Sequence, residues 1–110
     1  MKKSASALLA ALVAVGMMSS AANADINKGK KVYLKKCKKC HGNGVTGAKM
    51  ETQAGWNALF ENNAAAIIAK HKGTKAEDYF GSDSFSKKAE DLRDFLHEYG
   101  SDSGKEPSCG

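Results

Sequence analysis

Cys37-Lys38-Lys39-Cys40-His41 sets two thiols three positions apart, with an imidazole immediately after the second. In a C-x-x-C-H pattern the thiols add across the vinyl groups of a haem and the histidine binds its iron, so the pentapeptide reads as a c-type haem attachment site. Two other chemistries use similar residues. A thioredoxin-like redox pair needs a preceding strand and a βαβ frame, and no period-2 pattern here supplies them. A structural zinc site needs a second ligand pair at regular spacing, and outside the motif only the scattered His71, His97 and Cys109 remain.

Upstream, Met1-Lys2-Lys3 precedes an apolar run from Ala5 to Met18 and then Ala22-Asn23-Ala24. A charged start, an apolar centre and an Ala-x-Ala end make a secretory signal peptide over 1–24, cleaved after Ala24, which implies a periplasmic protein without stable membrane insertion. The apolar run is short for a spanning helix, and retention as an anchor is the alternative. The rest of the chain reads as one small domain over 25–100 and a polar, turn-rich tail over 101–110 that is expected to be mobile. A core of that size gains from a covalently held apolar cofactor.

The formal charge of +5 falls to about +3 once Lys2 and Lys3 are removed, too mild a balance to imply nucleic acid. Its distribution is more informative. Lys28, Lys30, Lys31, Lys35, Lys36, Lys38 and Lys39 crowd into the first helix and the motif. They form either a solvated helix face or a basic collar that steers an acidic redox protein towards the cofactor. Three cysteines in an exported chain are an odd number, and Cys109 is left over. A monomer is the expectation, with Cys109 as a spare thiol, an extra ligand or the link of a disulfide dimer.

The apolar spacing predicts helices throughout. The first spans Asn27–Lys36, with Gly29 and Tyr33 on one face, where a missing side chain permits close approach of another helix. His41 to Gly47 is rich in turn residues and is expected to hold neither helix nor strand. Thr52 caps a helix carrying Trp56, Leu59 and Phe60; Asn62-Asn63 interrupts it, and a second run from Ala64 to Lys70 ends at His71-Lys72-Gly73. Thr74 to Glu77 matches a capping box that starts a short turn ending at Tyr79-Phe80. After a loop over Gly81–Ser84, with Phe85 anchoring its far side, the last helix runs from Ser86 to Tyr99 with Gly100 as its C′ residue. The fold class is all-α.

The chain resembles the class I cytochromes c. The likeness rests on Gly29-Lys30-Lys31-Val32-Tyr33, on Cys37 to His41 with Gly42, and on Leu92-Arg93-Asp94-Phe95-Leu96. It implies crossing first and last helices, with Gly29 and Tyr33 packed on Leu92 and Phe95. It also implies one covalent haem c, held by Cys37 and Cys40 and ligated through its iron by His41. Trp56 and Phe60 are then cofactor contacts as well as core residues, and Tyr79, Phe80 and Phe85 are further walls of the pocket. The family's distal methionine is missing from its usual place, because no methionine follows Met50. His71 leads as the distal ligand, Met50 is second, and an open iron is third. The resemblance implies a non-enzymatic carrier of single electrons between redox proteins. A haem-based sensor or small-ligand binder with an open iron is the alternative, whereas a peroxidase would need a distal acid/base pair that the sequence does not place.

Overall fold

The computed structural model describes residues 24–108. The expected signal peptide, up to Asn23, and Cys109 lie outside the described residues. Six helices succeed one another along the chain: α1 Ile26–Lys36, α2 Lys38–His41, α3 Gly44–Ala48, α4 Gln53–Lys70, α5 Glu77–Phe80 and α6 Asp83–Glu98. Among the described residues there is no strand, as the all-α expectation requires.

Each long helix begins at a side-chain cap. The Asp25 carboxylate accepts from the backbone of Asn27 and Lys28 at the start of α1. Thr52 accepts from Gly55 ahead of α4, and Ser82 from Phe85 ahead of α6. These oxygens satisfy amides that have no partner within the helix. At the other end of α1, Lys35 and Lys36 face the negative pole of the helix dipole.

α1 and α6 cross at Gly29. A Cβ there would stand 2.0 Å from the Asp91 carbonyl oxygen and 2.9 Å from the Phe95 Cβ, so only glycine allows this approach. Tyr33, one turn on, lies 5.8 Å from Phe95 between ring centroids. Asp91 also accepts from the Asp25 amide and so ties the start of α1 to α6. Phe85, Leu92, Phe95 and Leu96 make the buried stripe of α6, and Trp56 and Ile67 of α4 join them in one core.

Several expectations are corrected. Residues 44–48, expected to be irregular, form α3, because Asn43 caps the turn by accepting from the Thr46 amide. Its Gly47 is required by packing, since a Cβ would fall 1.8 Å from the Tyr33 hydroxyl. α6 begins at Asp83, so Phe85 lies within its first turn instead of anchoring a loop. The Thr74–Glu77 capping box is shifted, with Thr74 Oγ1 accepting from Ala76 and Glu77 reaching back to the Gly73 amide. Gly100 follows the Tyr99 cap but has no positive φ; its reason is close approach, with Gln53 N 2.9 Å from where a Cβ would stand.

The interruption of α4 is where the asparagines put it. Asn62, Asn63 and Ala64 take φ of 53°, 57° and 63°, after an extended Glu61. Asparagine tolerates this left-handed region better than most residues. The turn redirects the chain so that Ile67 and His71 face the core side of the second segment.

The tail is fastened at several points. Ser101 N donates to the Glu51 carbonyl, and Gln53 N to the Asp102 carboxylate. Lys49 pairs with Glu106, Lys105 with Glu98, and Pro107 is buried. Lys30 Nζ donates to the Ser108 carbonyl beside α1. No helix among the described residues is long and apolar enough to cross a membrane.

Candidate haem site

The attachment motif folds as a single turn that continues α1 after a break at Cys37. Cys40 N and His41 N both donate to the Cys37 carbonyl, at 3.2 and 3.0 Å, and Gly42 N to that of Lys38 at 2.9 Å. Gly42 then takes φ +83°, a value open to glycine at little cost, and the chain turns away from the motif. The Tyr33 hydroxyl pins this turn by donating to the carbonyl of Gly42 at 2.7 Å, with the Asn43 carbonyl at 3.2 Å.

Beside the turn is a cavity of about 250 Å³. Cys37 and His41 stand on one part of its wall, and Trp56, Ile67, His71, Phe80, Leu92 and Leu96 on the rest. Trp56 satisfies its own polar group by donating from Nε1 to the Ala48 carbonyl at 2.8 Å, so its ring packs with no unpaired donor.

His41 and His71, thirty positions apart in sequence, meet here with ring centroids 5.9 Å apart and planes at 80°. A metal–imidazole nitrogen bond is about 2 Å, so two imidazoles in line on one metal have centroids roughly 6 Å apart. His71 Nδ1 lies 2.7 Å from the Ile67 carbonyl. A carbonyl only accepts, so Nδ1 carries the proton and Nε2 keeps its lone pair free. The His71 ring stacks on Phe80, with centroids 4.3 Å apart and planes at 26°. Behind Phe80 stand Phe85 at 4.8 Å and Tyr79 at 5.7 Å.

The other sequence-predicted residues divide. Met50 lines the same cavity but is 47 % exposed. Phe60 does not line it: it packs on Trp56 at 6.5 Å and faces a separate groove beside α6. Tyr79 and Phe85 likewise stand behind Phe80 and off the cavity wall. Cys40 is exposed whereas Cys37 is half-buried. Leu92 and Leu96 are pocket wall that sequence patterning does not mark, since the helical stripe that identifies them as core is silent on which core residues border a cavity.

Burial pushes the Cys37 thiol up to about 11, with the nearby Cys40 adding to the shift. Tyr33 is pushed up to about 12, first by burial and then by the charge of Cys37. Burial, and secondarily Cys37, also raises Tyr79. A tyrosine whose folded pKa is raised contributes stability that is complete below about pH 10 and is lost as pH climbs towards about 12. We expect phenolate absorbance to rise with cooperative loss of helix in that window, and Tyr33→Phe to reduce the loss without abolishing it, because Tyr79 is raised as well. At neutral pH, Tyr33→Phe is expected to cost only about 1 kcal/mol in a denaturant titration, because the exposed Gly42 and Asn43 carbonyls regain water.

The donor set fits a covalently attached haem: two cysteines and a histidine in the attachment order, a second imidazole opposite, and an apolar wall. A family model described as "Cytochrome C oxidase, cbb3-type, subunit III" matches residues 24–96. No curated protein and no solved structure matches the chain.

Proposed function

The chain belongs to the cbb3-type cytochrome c oxidase subunit III family, a c-type cytochrome domain that holds haem covalently and uses it in electron transfer, and from that premise we propose that it is an exported, periplasmic carrier of single electrons with one haem c. The α1–α6 crossing at Gly29, Tyr33 and Phe95 supports this, being the helix pairing that the resemblance to class I cytochromes c implies. The observation that carries the reading furthest is the pair of imidazoles, His41 and His71, facing each other across the apolar cavity.

Cys37 and Cys40 would hold the cofactor, with His41 as the proximal ligand and His71, not Met50, as the distal one. When bound, the haem supplies reversible one-electron ferrous/ferric chemistry. The protein's part is to keep that centre in place and dry. Trp56, Leu59, Ile67, Phe80, Leu92 and Leu96 provide the apolar wall. The proposed role is the carriage of electrons and not the transformation of a substrate.

Exposed Lys36, Lys38, Lys39, Lys70 and Lys72 surround the motif and the end of α4. Lys36 Nζ also lies over the Tyr79 ring, 5.0 Å from its centroid, which holds one of these charges near α5. Charges arranged in this way steer an acidic redox partner by raising the encounter rate more than the affinity. Reversing Lys38 and Lys39 to glutamate together is expected to slow reduction by acidic donors at low salt, with the difference vanishing at high salt.

The direct test is expression alongside periplasmic haem-attachment machinery, followed by haem staining of a denaturing gel. One stained band at the size of the cleaved chain is expected. An absence of stain, or stain that survives loss of both Cys37 and Cys40, would sink the reading.

A further inference from the structure

We propose that Phe80 and the Ile67 carbonyl are the positioning groups of the distal ligand, fixing both the plane and the tautomer of His71. The inference rests on the reading of His71 as the ligand opposite His41.

His71 sits at the C-cap of α4, with φ −103° and ψ 4°, where the helix has ended and the backbone no longer fixes the side chain. The next residues are exposed, and Gly73 takes φ +78° with open space around it. An imidazole in such a place rotates freely unless something holds it. Two contacts do so from independent directions. The Ile67 carbonyl, one turn back, accepts from Nδ1–H and leaves Nε2 with the ring's only free lone pair. Phe80 lies against the flat face of the ring and blocks its rotation.

Phe80 is itself buried. It is 6 % exposed and wedged edge-on against Phe85, which is 2 % exposed in the first turn of α6. The chain of support therefore runs from the core, through Phe85 and Phe80, to the ring that faces His41. Neither contact would be needed if His71 were only a surface histidine, and together they leave one nitrogen pointing away from the helix end. A ligand held in this way resists displacement, which separates an electron carrier from a protein whose iron admits small ligands.

The test compares Phe80→Leu, Phe80→Tyr and His71→Ala, each carrying haem, by carbon monoxide binding to the reduced protein and by electron paramagnetic resonance of the oxidised protein. Phe80→Leu keeps an apolar side chain of moderate size, and its fold is checked by helix content. It is expected to speed carbon monoxide binding by roughly 10- to 100-fold, the range by which loss of a supporting residue weakens a metal site, and to broaden or shift the low-spin resonance. Phe80→Tyr, which retains a stacked ring, is expected to restore both. If Phe80→Leu folds and leaves the rate and the resonance unchanged while His71→Ala alters them, the positioning role is wrong although His71 is the ligand. If His71→Ala alters neither, the reading beneath the inference fails as well. Hydrogen exchange of the His71 Nδ1 proton in the reduced, haem-loaded protein gives a second readout: strong protection supports the bond to the Ile67 carbonyl, and exchange as fast as that of an exposed imidazole overturns it.

Discussion

His71→Ala is expected to convert a closed centre into one that binds carbon monoxide rapidly when reduced, whereas Met50→Ala should leave that behaviour unchanged. Geometry decides this before electronics does. His71 faces His41 at 5.9 Å, with its Nδ1 proton already committed to Ile67, so Nε2 is the atom available across the cavity. Met50 touches the same cavity but is 47 % exposed, two residues beyond the end of α3. Removing a ligand outright should exceed the roughly 10- to 100-fold effects of removing its supports. The companion substitution, His71→Met, is expected to raise the reduction potential by on the order of a tenth of a volt, a modest part of the roughly 0.8 V that axial ligands span. A thioether favours the ferrous state where imidazole does not. Rapid ligand binding by the unaltered protein would refute the assignment and favour a sensor with a labile iron face, whereas a Met50→Ala variant that alone loses its low-spin spectrum would refute it in favour of Met50 as the distal ligand.

Gly29→Ala should be the most damaging small substitution in the scaffold. In an isolated helix the change is favourable by about 1 kcal/mol, since alanine loses less backbone entropy. Here the new methyl would stand 2.0 Å from the Asp91 carbonyl oxygen, which belongs to the backbone of α6 and cannot rotate aside. The helices must separate, and the separation opens the packing of Tyr33 on Phe95. Overpacking of this kind costs about 1–3 kcal/mol and occasionally more, so with a contact this close to rigid backbone a net loss of about 1–2 kcal/mol is expected after the gain in propensity. Lys28→Ala, on the exposed side of the same helix, serves as the control and should stay within about 0.5 kcal/mol. Equal midpoints for the two variants in a denaturant titration would show that the crossing is looser than the geometry requires.

The groove beside α6, lined by Phe60, Ala64, Ile68, Phe85 and the charged Lys87, Glu90 and Arg93, is larger than the cavity at His41. Size does not make it the functional site. It brings no cysteine or histidine together, while the smaller cavity gathers two histidines and Cys37 against an apolar wall.

The sequence alone determined the attachment chemistry, because five consecutive residues carry it and local spacing is all it needs. It also determined the helical class, the break at Asn62-Asn63 and the Gly29 face, since each is a matter of period or of one residue's backbone preference. Tertiary structure decided the rest. Thr46 donating to Asn43 turned an apparent loop into α3, and a composition rich in glycine could not reveal that bond. Phe60 left the pocket and Leu92 entered it, because helical spacing tells buried from exposed but not which buried residue borders a cavity. The meeting of His41 with His71, and the stacking of Phe80 behind it, depend on a chain reversal at residues 61–64 and on the packing of α5 against α6. Contacts between residues so far apart in sequence exist only once the core has formed: the motif singles out His41 from its immediate neighbours, and the sequence ranks His71 ahead of Met50, but only the fold brings His71 to face His41.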